Sequence, residues 1–180
     1  MKKIIFSIFT VLLITGCTPP KEEIDVAKEE EAIKAMLKKE MSDWWHMDLD
    51  AESYCWVKED YMTTVHNDCN NHSRSHGYDS IYAEGKRFVE QYGDQFQYVS
   101  NTKQEFKDFN IKVFDKVAWA VYNLHTSWEY KGEPYEGSEV RVTFLEKVDG
   151  DWKMALNATT SLDPCKEEAE DNDEEGDEDD

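Results

Sequence analysis

Positive charge is what this sequence has least of: 20 lysines and arginines stand against 40 aspartates and glutamates, for a net charge of −20. Such a polyanion excludes nucleic acid as a partner, because that interaction needs cations placed against phosphates. It also keeps the chain off anionic lipid unless a separate anchor holds it there. Long hydrophobic runs are missing too. The apolar stretch 4–14 is broken by Ser7 and Thr10, and it falls short of the ~20 residues a bilayer-spanning helix needs. No internal repeat is visible. Cysteines number four, so disulfides are few.

What is present at the N-terminus is an address. Lys2 and Lys3 precede the short apolar run, which ends in Ile14-Thr15-Gly16-Cys17. This order of charge, apolar stretch and small residues suits a secretory signal and resembles a bacterial lipobox, in which the cysteine is lipidated and becomes the mature N-terminus. Residues 1–16 are therefore expected to be a lipoprotein signal peptide, Cys17 the lipid anchor and 17–24 a polar tether. The expected location is the bacterial cell envelope, on a membrane. At the other end, residues 164–180 form an acidic tail expected to be disordered, with eleven acidic residues and one lysine from Lys166 onward. Asp171, Asp173, Glu175 and Gly176 match the first half of an EF-hand loop, but the bidentate glutamate that closes such a loop is missing. With Cys17 set aside, Cys55, Cys69 and Cys165 allow one disulfide. Cys55 and Cys69 flank an expected strand, whose length holds them too far apart to bridge, so Cys165 is the better partner for either.

Residues 25–163 read as one domain. Ile33, Met36, Leu37, Met41 and Trp44 recur at helical spacing, with Asp25 placed as N-cap. "DLDAESYCW" suggests a short second helix started by Asp48 or Asp50, and "WVKEDYMTTVHN" a strand. Asn67 to Gly77 contains no apolar residue and reads as a loop. A third helix is expected over 78–93, capped by Asp79 and closed by Gly93. Long alternating segments follow to the end, and "VDGDW" marks a tight hairpin. Helices followed by consecutive strands give an α+β fold with an antiparallel meandering sheet.

This order, with "GYDSI" opening the third helix, "DKVAWAVYN" after a turn and "VRVTFLEKVDGDWKM" near the end, resembles the nuclear transport factor two-like superfamily, also called SnoaL-like or ketosteroid-isomerase-like. The resemblance implies a curved antiparallel sheet wrapped around N-terminal helices, making a cone with an internal apolar pocket. It also implies a small-molecule ligand, no cofactor, and homodimers formed through the sheet. Isomerase members of the superfamily pair a carboxylate base with tyrosine and protonated-carboxyl donors. Here only Asp43, Asp48 and Asp60 fall in the right region, and each reads equally well as a cap or solvated residue. Relatives with pocket histidines four and six residues after the closing-strand tryptophan have Leu156 and Ala158 in their place here, so these two are expected to face the pocket and binding to be dominated by burial with few ionic contacts.

Two histidines interrupt apolar strands, His66 and His125. They are the candidate catalytic residues, since histidine moves protons near neutrality, although a surface or backbone-bonded role explains each as well. Trp44, Trp45, Trp128 and Asn157 are the candidate ligand-binding residues. Adjacent Trp44 and Trp45 cannot both face one core, so one is expected at the pocket or its mouth. The stretch "HNDCNNHSRSH" places His66, Cys69, His72 and His76 at metal-ligand spacing, yet it holds a single cysteine and poor helix formers. It is read as a solvated loop with no metal. The expected function is a lipid-anchored envelope protein whose domain binds a small, partly apolar molecule. An isomerase or dehydratase using a pocket histidine and a dimeric interaction module are the alternatives, and catalysis is left open.

Overall fold

The computed structural model describes residues 24–69 and 71–163. The expected signal peptide, Cys17, Cys165 and the acidic tail with its half-match to a calcium loop lie outside the described residues.

The chain begins with α1 (Val26–Trp45), started by Asp25, whose side chain accepts from the Lys28 amide at 3.1 Å. Ile33, Leu37 and Met41 recur every fourth residue and are buried. Asp48 starts α2 (Leu49–Ser53) in the same way, accepting from the Ala51 amide at 3.0 Å. Helix α3 spans Tyr78–Phe96. Its N-cap is Gly77, at φ +84°, and not Asp79. Asp79 sits two residues later in the first turn, where its charge meets the positive end of the helix dipole. The helix also runs through Gly93, because Phe96 beyond it packs against Trp45 and Phe88 at centroid distances of 6.1 and 6.4 Å. Tertiary packing here outweighs the ~1 kcal/mol preference of glycine for leaving a helix.

Six strands form one sheet in the order β2-β1-β6-β5-β4-β3. They are β1 (Thr63–Asn67), β2 (His72–His76), β3 (Val99–Phe114), β4 (Val117–Tyr130), β5 (Glu133–Val148) and β6 (Asp151–Ser161). The last four make an antiparallel meander. Two of its turns, Lys131-Gly132 and Asp149-Gly150, have positive φ at both central residues. That conformation matches the twist of the flanking strands, and glycine holds it without strain. Strand β1 departs from the expected antiparallel pattern by pairing parallel with β6, which carries the sheet on to β2.

The stretch read as a loop contains β2, paired antiparallel to β1. Sequence patterning missed it because it is an edge strand with both faces largely in water, so no apolar alternation is needed, and its polar side chains discourage further pairing. The expected first strand is also shorter than read. Before Thr63 the chain makes only an isolated parallel bridge from Trp56 to Met154.

The sheet bends because it is bulged. Strand β3 shifts register between Ser100 and Lys103 and between Lys107 and Asn110, where Asn101 and Asp108 take φ of 54° and 55°. Strand β6 bulges at Ala155 against Phe144 and Leu145. Helix α1 lies against the concave face. Glu29 fastens it there, accepting from Lys147 Nζ at 2.6 Å and Trp152 Nε1 at 2.7 Å. The Lys147 ammonium, aided by Trp152, holds the Glu29 carboxyl below its ordinary pKa despite the cost of desolvation.

Candidate functional site

The concave face is built by strand alternation. On β4 the buried residues are Ala118, Ala120, Tyr122, Leu124 and Thr126. Their neighbours on β5 are Leu145, Thr143, Arg141, Glu139 and Gly137. On β6 the bulge at Ala155 reverses which residues face inward. Trp152 and Met154 point in before it; Asn157, Thr159 and Ser161 point in after it, opposite Thr143, Arg141 and Glu139. Leu156 and Ala158 pair instead with Phe144 and Val142 on the outer face. They therefore do not occupy the inward positions that the sequence reading gave them, and the neutral pair Asn157 and Thr159 does. One row crosses the interior of the sheet as Tyr122, Arg141, Thr159 and His66.

Arg141 anchors a polar cluster in what is otherwise an apolar core. Its Nε donates to Glu139 at 2.5 Å and its Nη1 to Glu40 of α1 at 3.4 Å. Burial works against the guanidinium charge, but Glu40, Tyr122 and Glu139 reverse that and raise its pKa, so it stays protonated. Burial pushes the Glu40 carboxyl up, opposed by Arg141. Glu52 of α2 is buried as well; desolvation, reinforced by Glu40, pushes it up to about 9, so it is a neutral carboxylic acid at pH 7. The Tyr122 hydroxyl beside Arg141 and Thr143 is raised to about 12 by burial and makes no well-formed hydrogen bond. Asn157 accepts from Thr143 Oγ1 at 3.2 Å. The sequence reading missed Glu40, Glu52 and Arg141. Glu40 sits on the Ile33–Leu37–Met41 face of α1, which was the one available signal.

Where the cone opens, a cavity of about 350 Å³ has Arg141, Thr126 and Thr159 at its wall with Trp44, Trp45 and Trp128. Both adjacent tryptophans reach it because α1 ends there, at Trp45. Trp45 contacts Trp128 at a centroid distance of 5.3 Å, and Trp44 leans on Phe88 of α3 at 5.0 Å. Trp45 also borders a neighbouring open cavity of about 740 Å³ between α1, α3 and β3. Asn157 faces inward but lies deeper, outside the set of residues that line the opening. His66 lines the cavity, and its Nε2 lies 3.0 Å from Asp68.

His125 does not reach the cavity. It alternates with the buried β4 residues and so lies on the outer face, with Nδ1 3.0 Å from Ser138 Oγ and Nε2 3.9 Å from Glu136. The four residues of metal-ligand spacing are dispersed as well. By register, His66 lies on the opposite face of the β1–β2 ribbon from His72 and His76. His72 bonds Asn67 and His76 bonds Thr63. Cys69 is disulfide-bonded, with its sulfur 3.6 Å from the Asp163 carbonyl oxygen, while Cys55 is a free, buried thiol. Among the described residues no three His, Cys, Asp or Glu side chains converge as a metal site.

The fold recurs among solved structures. An NTF-2-like protein of unknown function from Shewanella oneidensis shares 17% identity at a TM-score of 0.54, over 73% of this chain and 98% of its own. An NTF2-like protein with a cystatin-like fold from Novosphingobium aromaticivorans shares 12% at 0.60, over 78% and 86%. A candidate scytalone dehydratase from the same species shares 15% at 0.60, over 77% and 87%. These likenesses establish fold and not activity. No curated protein matches the sequence significantly. The family model described as a SnoaL-like domain matches residues 46–157, from the end of α1 to the inward-facing Asn157. With that match over most of the folded chain, and the cone with its mouth cavity, the protein belongs to the SnoaL-like family.

Proposed function

We propose that the protein is a lipid-anchored envelope protein whose SnoaL-like domain binds a small, partly apolar molecule at the mouth of the cone. The observation that carries this reading is the cavity walled by Trp44, Trp45 and Trp128 above the Arg141 cluster. Its volume, about 350 Å³, falls within the ~300–1,000 Å³ typical of ligand pockets, and its lining combines aromatic surface with a few fixed polar groups. Anchoring rests on the lipobox-like Ile14-Thr15-Gly16-Cys17. The test of anchoring is Cys17→Ser with acyl labelling and membrane fractionation: the variant should lose the label and leave the membrane, and a variant that keeps both contradicts it. The test of binding is titration of intrinsic tryptophan fluorescence with a fragment set, repeated on Trp128→Leu, which should weaken any ligand found by about tenfold or more.

A catalytic reading is favoured by one observation: His66 with Asp68 lines the same cavity in which Arg141 lies. Loss of turnover in His66→Ala with binding intact would make the protein an enzyme. A homodimer is favoured by the outer face, where Phe144, 51% exposed, lies directly between its cross-strand partners Trp119 and Leu156, with Val142 two residues along its own strand.

A further inference from the structure

The mouth cavity holds more anionic than cationic groups, and the imbalance bears on what it takes. Three carboxylates line it, Asp68, Glu139 and Asp163, against the single guanidinium of Arg141. That guanidinium is already engaged by two carboxylates, Glu139 at 2.5 Å and Glu40 at 3.4 Å. An anionic ligand would therefore meet no free guanidinium or ammonium, only His66, which Asp68 already engages at 3.0 Å, and would be repelled by the carboxylates at the rim. The aromatic part of the wall is Trp44, Trp45 and Trp128, and tryptophan ring faces attract cations better than those of tyrosine or phenylalanine.

Resting on the small-molecule reading above, we propose that the ligand is an organic ammonium ion with an apolar body. Its cationic head sits against Trp44, Trp45 and Trp128 with Asp163 and Asp68 at the rim. The head needs no hydrogen-bonded partner there: ring faces and nearby carboxylates stabilise a weakly hydrated quaternary or tertiary ammonium. The Arg141–Glu40–Glu139 cluster behind them supplies a closed floor with no net positive charge to oppose it.

The experiment uses probes of matched shape on the domain: phenyltrimethylammonium, its neutral isostere tert-butylbenzene, and benzoate as the anion, each titrated by tryptophan fluorescence. Phenyltrimethylammonium should bind about tenfold or more tightly than tert-butylbenzene, with no measurable binding of benzoate. Asp163→Asn keeps the oxygen that accepts from the Ser138 amide and removes only charge, so it should weaken the ammonium several-fold and leave tert-butylbenzene unchanged. Trp128→Leu should cost the ammonium more than the hydrocarbon. If tert-butylbenzene binds as tightly as the ammonium, or benzoate binds best, the ammonium assignment is overturned while small-molecule binding stands. If none of the three binds, both fall.

Discussion

Two buried titratable residues give opposite kinds of prediction. Glu52 is a carboxyl with a raised pKa, and the sign follows from that direction. Below pH ~4.5 it is protonated in both folded and unfolded chains and contributes nothing to the difference. Between ~4.5 and about 9 the unfolded chain releases the proton and the folded one keeps it, so stability falls as pH rises through this window. At pH 7 the penalty is on the order of 3 kcal/mol at most. Glu52→Gln should therefore match the wild type near pH 4.5 and become the more stable of the two by pH 8, as urea denaturation at the two pH values would read. A wild-type advantage at pH 8 would mean that Glu52 is ionised and paired. Cys55 is free and buried, and desolvation, helped by the nearby Glu40, pushes its thiol to about 11. It should resist an aqueous thiol reagent in the native protein and react on unfolding. Rapid native labelling mapped to Cys55 would show that this part of the core opens.

At the scale of elements, the bulge in β6 decides which side chains enter the cone. Ala155 is the extra residue, so removing it leaves Asn157, Thr159 and Ser161 inward in a regular ladder, whereas removing Ala158, which no bulge absorbs, turns Thr159 and Ser161 outward. The Ala158 deletion should destabilise the domain by about 3 kcal/mol or more and abolish any ligand response, and the Ala155 deletion should cost less. An Ala158 deletion that stays stable and ligand-responsive would show that the inner face is set otherwise. The tie between α1 and the β5–β6 hairpin is a milder case. Glu29→Ala loses two hydrogen bonds, one of them from a buried indole, and should cost about 1–3 kcal/mol by denaturant midpoint. The same elements show where sequence reading succeeds and fails. Helices α1 and α2 were legible with their caps because Asp25 and Asp48 make local bonds, and the long strands because each has one buried face. Strand β2 was not legible because nothing in "HSRSH" is buried. The inward residues of β6 were misread because a bulge leaves no mark in composition: Ala155 looks like any other small residue.

For the whole molecule, the fold was written in local sequence, whereas the site depends on long-range assembly. Glu40, Glu52 and Arg141 come from α1, α2 and β5, and none of them stands out in its own segment. Trp44, Trp45, Trp128 and His66 were singled out by residue type, and the fold brings all four to one cavity. His125 was singled out by the same reasoning, but strand parity places it on the outer face. If the outer face pairs two copies, Phe144→Lys should convert a dimer to a monomer in sedimentation velocity with the fold unchanged; a monomeric wild type would remove that reading.

The central claim, that the tryptophan-walled mouth is the ligand site, is tested most directly by the indole N–H signals of the ¹⁵N-labelled domain during titration with phenyltrimethylammonium. The account predicts saturable shifts at Trp45, Trp128 and Trp44, with Trp152 at the opposite end of the cone and Trp119 on the outer face unmoved. Shifts confined to Trp119, or no saturable shift at any of the three mouth tryptophans, would contradict it.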